Sequence, residues 1–307
     1  MARYAQRLIR EKIEVTSGTA VATTASDAVL AMNFTARHFE ADYQQQNFVR
    51  GTEGAQGEDA YNIHAGAEYD VEAAPPVANG ALLYAHLLLS SGMDMTDDDG
   101  DIVFTPTDPL KEIPSCTMQM RNGAIMQTVT GVRGGFSFTA ENARRPFFRF
   151  NRRGRYVDPV APVSEPHNFE AWPRALIANP ENMFAFALGG TKLCATRFNF
   201  TDGRTPTVDK YMNCGGTSLS ARRFTGAMTV KWPDLATKDL LTQIKKGITE
   251  PLVWTLGKEA GKTLTITAPK VLIKWAGDQD IEGDLGISLD LTMLPLNGND
   301  DLEIRFS

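Results

Sequence analysis

The stretch Leu285-Gly286-Ile287-Ser288-Leu289-Asp290-Leu291-Thr292 alternates apolar and polar residues without interruption. Successive side chains along a strand point to opposite faces, so the leucines and Ile287 share one face while Gly286, Ser288, Asp290 and Thr292 share the other. Such a strand has one face in a core and one in water. Working outward, Leu264 to Ile273 is a second apolar run, and the turn Gly257 to Gly261 separates it from Pro251 to Leu256. Before these lies Asp234 to Lys246, where Leu240, Leu241 and Ile244 oppose Lys238, Asp239, Gln243 and Lys245. This reads as an amphipathic helix with a wet face, closed by Gly247. Strand Phe224 to Trp232 leads into it through Pro233.

The same order of elements occurs upstream. Strand Ile63 to Glu72 meets Pro75-Pro76, a helix follows over Asn79 to Ser91, and then a hairpin joins Cys116 to Met120 and Ile125 to Val132. Its turn, Arg121-Asn122-Gly123, contains an Asn-Gly pair that tolerates positive φ. Strands Phe136 to Thr139 and Phe147 to Phe150 complete the series. Val29 to Phe34 with its polar loop corresponds to Leu193 to Phe200 with the loop Asp202 to Ser220. Between the halves, Pro159, Pro162, Pro166, Pro173 and Pro180 mark an extended connection. The expectation is a mainly β chain of two tandem domains, residues 1–156 and 183–307, joined by a Pro-rich linker over 157–182. Each domain has one flanking helix. Arg7 to Val15 could be an early strand or an arm, and Thr16 to Asp27 reads as an extended loop.

The first helix differs from the second. Leu82, Leu83, Tyr84, Leu87, Leu88 and Leu89 leave His86 and Ser90 as its polar interruptions, with Asn79 suited to cap it and Gly92 to end it. It is too short for a bilayer, which needs ~20 apolar residues. It is therefore expected to be covered by the linker or a neighbouring subunit, with His86 as a hydrogen-bonded packing residue, while Lys238 at the second helix lies in water.

Three segments do not follow the core pattern. Arg37 to Asn62 lacks both the helix and the strand period and reads as a long polar loop, either mobile or ordered by another subunit. Asp94 to Asp101 is an acidic turn, and the EF-hand register is excluded because it places Met95 first and Pro106 twelfth. Arg144, Arg145, Arg149, Arg152, Arg153 and Arg155 interleave with Phe147, Phe148 and Phe150. That composition suits a nucleic-acid surface, or a strand whose aromatics face a core while its arginines meet acidic groups of a neighbouring subunit. The second reading is favoured by the acidic balance of the chain, which carries a net charge of −6.

With 307 residues, 42% hydrophobic and 22% charged, the chain can bury a sizeable core and is neither disordered nor fibrous in composition. Cys116, Cys194 and Cys214 are too widely spaced for a metal or redox motif and read as free, mostly buried thiols. His38, His64, His86 and His167 are scattered, Gly215-Gly216-Thr217-Ser218 is no nucleophile elbow, and Gly131 to Gly135 lacks dinucleotide-loop spacing. No catalytic constellation, cofactor or metal site is expected. Neither a signal peptide nor a membrane span is expected, which fits synthesis in a reducing cytoplasm.

Several short stretches together resemble the major tail tube protein of long-tailed, non-contractile bacteriophages. These are Leu8 to Thr19, the Leu-rich helix Gly80 to Gly92, Asn122-Gly123 followed by Thr130-Gly131-Val132-Arg133-Gly134, Thr267-Ala268-Pro269-Lys270-Val271, and Asn297 to Ile304. The resemblance implies two packed antiparallel sheets with one helix per copy, and rings whose inner sheets join neighbours into a β-barrel. Two copies per chain imply homotrimeric, pseudo-hexameric rings, with a homohexamer as the alternative. Stacked rings would form a virion tail tube, with a tape-measure protein inside during assembly and tail tip and terminator proteins at the ends. Double-stranded DNA would later pass through the lumen without specific binding. On this basis Arg37, Tyr43, Gln45, Phe48, Arg50, Glu53 and Glu58 are expected to contact the next ring, and the arginine cluster to lie between subunits. The alternative class is a two-domain β-sandwich adhesin or carbohydrate-binding module, for which Trp172, Trp232, Trp254 and Trp275 are too dispersed to suggest an aromatic platform.

Overall fold

The computed structural model describes residues 7–46, 48–49, 55–75, 82–163, 166–209, 211–212 and 215–307. The first half contains β1 (Arg7–Ile13), β2 (Ala31–Gln45), β3 (Glu58–Glu72), helix α1 (Leu82–Leu89), β4 (Met93–Asp98), β5 (Asp101–Pro106), β6 (Cys116–Asn122), β7 (Ile125–Glu141) and β8 (Phe147–Arg155). The second half contains β9 (Met183–Leu188), β10 (Thr191–Lys192), β11 (Ala195–Thr201), β12 (Pro206–Val208), β13 (Thr217–Leu219) and β14 (Thr225–Lys231). After these come helix α2 (Leu240–Lys246), β15 (Thr249–Leu256), β16 (Leu264–Ile281), β17 (Asp284–Met293) and β18 (Glu303–Phe306). The protein is mainly β, and the segment between β8 and β9 forms no helix and no named strand among its described residues.

Pairing order recurs between the halves. In the first half the strands pair in the order β1-β6-β7-β8-β3-β2, and in the second β9-β15-β16-β17-β14-β11. All these pairs are antiparallel. Each half is a sheet folded back on itself. Glu11 on β1 meets Arg152 on β8 at 3.5 Å although β6 and β7 lie between them along the ladder. In the second half Phe186 on β9 and Phe198 on β11 have ring centroids 5.6 Å apart, although they stand at opposite ends of the second pairing order. The layer between is the core: Tyr69, Val71, Met118, Phe148 and Phe150 in one half, Phe186, Met228, Val230, Ile287 and Leu289 in the other.

The halves share one sheet. Ser137–Glu141 of β7 pairs with Arg197–Thr201 of β11, so the path runs from β10 to β2 through both halves. The joint is aromatic: Phe138 lies 5.4 Å from Phe200, 6.0 Å from Phe198 and 5.0 Å from Trp254, centroid to centroid. Such pairs contribute about 0.5–1.5 kcal/mol each beyond their buried area. A second bridge is β18, which pairs with β16 on one side and β5 on the other. Among the described residues the path is open at both ends and closes no barrel within the single chain.

Several expectations need correction. Residues 37–45 and 58–62 are strand and not loop: β2 and β3 carry an antiparallel ladder out to the Gln45–Glu58 rung, with register shifts that break a clean two-residue alternation. The runs 125–132 and 136–139 are one strand, β7, which bends where Gly131 takes φ 63° beside a register shift. The acidic segment is the β4–β5 hairpin, turning through Asp99 at φ 56° and Gly100 at φ 96°. Helix α2 starts at Leu240 because the Asp239 carboxylate accepts from the Thr242 N–H, and Gly247 ends it at φ 62°.

The cover expected on α1 is present. Tyr84 stacks on Phe306 at 5.0 Å and meets Trp172 of the linker edge-on at 5.6 Å. The proposed cap Asn79 lies outside the described residues. His86 is half-buried on this helix, but its Nε2 has no hydrogen-bond partner among the described residues. Lys238 is not in water: its ammonium pairs with Glu250 and donates to the Leu188 carbonyl. Cys116 is buried, whereas Cys194 is exposed, and Cys214 lies outside the described residues.

Candidate assembly surfaces

The surfaces available for assembly are an arm, a face and two edges. The arm is the outer part of β2–β3. Its rungs Asp42↔Tyr61, Tyr43↔Ala60 and Gln45↔Glu58 carry side chains with little core beneath them. Tyr43 and Phe48 are each 58% exposed, so aromatic surface stands free on a narrow ribbon. Gln45 donates to the Glu58 carboxylate at 2.9 Å, and the Gln56 side chain brackets the backbone of Phe48. Arg37 sits lower, paired with Glu68 at 3.1 Å. The structure thus gathers Tyr43, Gln45, Phe48 and Glu58 near the arm's end, while Arg50 and Glu53 lie outside the described residues. Phe39 and Tyr61, also exposed on the arm, were not singled out from the sequence. Their aromatic character in a polar segment was the available signal.

The face is the side of the shared sheet turned away from the core. Thr35, Glu68, Asp70, Arg149, Asn151, Ser137, Thr139, Asn199, Thr229, Ser288 and Asp290 follow one another across paired rungs. Hydroxyls dominate its middle and matched charges its side nearest β2. Arg149 donates twice to Asp70, at 2.7 and 3.1 Å, and Asn33 adds a bond at 2.7 Å, so the carboxylate is buried beneath the guanidinium. The bond to Asp70 holds the Arg149 pKa above its usual value.

The other arginines also find acidic groups within the chain. Arg144 meets Glu141 at 2.7 Å, Arg145 meets Glu72 at 3.4 Å, and Arg153 meets Glu40 at 3.0 Å. Arg155 is exposed at the end of β8. Arg152 contradicts the expectation of an intersubunit role. It is fully buried, donating to the Leu87 carbonyl at 2.7 Å and Ser91 Oγ at 3.1 Å, beside Glu11 and over the Phe150 ring. Burial pushes the Glu11 pKa up, opposed by Arg152 and by the Tyr69 hydroxyl that donates to it. The signal in the sequence was parity: Arg152 shares a strand face with Phe148 and Phe150.

The two edges are ladder sides without partners. Among the described residues β2 pairs with β3 alone, and β16 from Ile273 to Ile281 pairs with β17 alone. No group of three or more His, Cys, Asp or Glu positioned for a metal occurs among the described residues, and no described helix is long and apolar enough to cross a membrane.

A family model described as phage tail tube protein matches residues 5–302. Among curated proteins there is no match.

Proposed function

Because this chain belongs to the phage tail tube protein family and so builds a component of the virion tail, we propose that its halves are two copies of one tube domain and that three chains close a pseudo-sixfold ring. The observation that carries this reading is the pairing order, which is the same in both halves, together with an open edge in each: β2 in the first and β16 beyond Ile273 in the second. An open edge is a template for another strand, and closure into a ring removes it. Stacked rings then form a tube that self-assembles with other tail proteins. A tape-measure protein fills it during assembly, and end-capping proteins sit at its tip and terminus. Synthesis in the host cytoplasm belongs to the same proposal.

In this reading the hydroxyl-rich face lines the lumen. Its arginines are already matched to Asp70, Glu68, Glu72 and Glu141, so few cations remain to displace counterions from DNA. The duplex passes without being held. The aromatic arm reaches the next ring. An adhesin is not favoured: Trp172 and Trp254 are in the core, and Trp232 and Trp275 pack on each other at 5.4 Å rather than forming a platform.

Electron microscopy of the purified protein tests the tube: hollow filaments with threefold ring symmetry are expected, and discrete single chains at every concentration would sink it. Deleting residues 44–57 should leave soluble protein that no longer stacks. Tubes of normal length from that deletion would remove the arm from the interface.

A further inference from the structure

The joint inside the chain is a template for the joint between chains. Both halves reach their helix through an equivalent last rung, Glu72↔Phe147 in the first and Lys231↔Gly286 in the second. Counting back from these rungs aligns the halves residue by residue. On the donor strand Phe138 pairs with Phe148 and Asp278 with Ile287, one rung in from the end, so Asp278 stands where Phe138 does. By the same count Gln279 takes the place of Thr139, and Asp280 that of Ala140. On the acceptor strand Phe200 pairs with Gly226 and Ala36 with Ala67, five residues before the last rung, so Ala36 stands for Phe200, Thr35 for Asn199 and Phe34 for Phe198.

Within the chain the donor and acceptor are already joined, Thr139 opposite Asn199 and Phe138 opposite Phe200. The equivalent donor, β16 beyond Ile273, and the equivalent acceptor, β2, both have an open edge among the described residues. We propose that β16 of one chain pairs antiparallel with β2 of a second copy, Gln279 opposite Thr35, Asp278 opposite Ala36 and Asp280 opposite Phe34, and that this joint is electrostatic where the internal one is aromatic. The inference rests on the ring reading above and specifies its contact.

The chemistry of the two joints differs rung by rung. Phe138 and Ala140 are replaced by Asp278 and Asp280, both exposed. Trp254, which packs on Phe138, and the core residues Leu256 and Ile266 of its hairpin are replaced by Met120, Asn122 and Gln127 on the corresponding rungs of the first half. Asn122 and Gln127 are held in a hydrogen-bonded set with His38, at 3.2 and 2.9 Å. The Arg7 guanidinium donates to the Phe34 carbonyl at 3.0 Å and lies over its ring, where the Asp280 of a neighbour arrives. Neither Asp278 nor Glu282 forms an ion pair among the described residues. A physical reason separates the joints. The internal one forms as the chain folds and never faces water, so it can be apolar. The outer one is exposed in every unassembled chain, and charge on an edge strand prevents indiscriminate pairing. The contact is heterologous, as ring closure requires.

The test is a cysteine pair, Thr35→Cys with Gln279→Cys, in full-length protein that also carries Cys194→Ser and Cys214→Ser. Directly opposite residues fall within disulfide reach, whereas a pair displaced along the strand does not. Oxidation should give covalently linked multimers on a non-reducing gel, and Thr35→Cys with Ile281→Cys should give few. Raising salt from about 0.1 M to about 1 M shortens the screening length from ~10 to ~3 Å. The protein concentration needed for assembly should then rise about tenfold, and Asp278→Lys with Asp280→Lys should prevent assembly of a folded chain. Wild-type tubes without the Thr35–Gln279 cross-link would overturn the edge and register while leaving the tube reading intact. Salt-independent assembly would overturn the electrostatic joint. Cross-linked rings that never stack would support this inference and sink the tube.

Discussion

Three equivalent rungs carry Arg152, Tyr69 and Glu11 in the first half and Leu291, Met228 and Leu188 in the second, every one of them buried. One half thus holds a hydrogen-bonded ion pair where the other holds three apolar side chains, on the same strands in the same pairing order. Removing two charges from water costs several kcal/mol per ion before their attraction is counted, so the apolar solution is at least as stable. The ion pair is kept for what else it holds. Arg152 bonds the Leu87 carbonyl and Ser91 at the end of α1, whereas α2 ends on its own Gly247 and Asp239 caps. Both helices end on a left-handed glycine, Gly92 and Gly247, but the end of the first is also fastened from outside by Arg152.

The comparison can be broken at its strongest point first. Arg152→Leu leaves Glu11 charged and unpaired in the core and should destabilise the chain by about 3–5 kcal/mol, read from denaturant midpoints. Adding Glu11→Leu should restore most of that loss, because it recreates the apolar arrangement of the second half. If the double variant is no more stable than Arg152→Leu alone, the ion pair is not the term that matters. In the double variant amide exchange over α1 should still be faster than in the wild type, since the Leu87 carbonyl and Ser91 have lost the guanidinium that ties them to β8.

A pH series sharpens the comparison in the second half, where Asp202 is buried and its pKa rises to about 7 through desolvation, against the Arg204 and Phe136 backbone contacts and the charges of Arg204 and Arg152. A raised carboxyl pKa means that the native state binds the proton more tightly than the unfolded one, so stability is lost as pH rises from about 4 to about 7 and is flat above. Asp202→Asn should therefore match the wild type near pH 4 and exceed it at pH 8 by up to about 4 kcal/mol. Equal stability at both ends would show that the carboxylate is solvated. The smallest effect is expected at Lys231, whose pairing with Asp284 raises its pKa on the open surface. Lys231→Ala should leave the unfolding midpoint where it was.

The strand class and the order of elements were legible because Leu285 to Thr292 alternates cleanly and Asn122-Gly123 marks its own turn. Family membership was legible in short ordered stretches. The arm was not, because the outer rungs of β2 and β3, from Tyr43 to Gln45 and from Glu58 to Tyr61, are exposed throughout, and a ribbon wetted on both sides loses the two-residue period. The union of the halves was hidden for another reason. Phe198 and Phe200 read as core residues of their own domain, and nothing local says that the core they enter also belongs to Phe138. Arg152 was masked by its neighbours in an arginine-rich run, where composition outweighed parity.

Strand β18 has a consequence for the order in which the protein can be made. Phe306 covers Tyr84 and Phe104, and its strand completes the edge of β5. Those residues belong to the first half, but their cover leaves the ribosome after every other strand of both halves. During synthesis the first half must wait with α1 partly uncovered, as an N-terminal domain folding alone does not. A nascent chain therefore presents no finished subunit before β18 has been made, and polymerisation is held back until then.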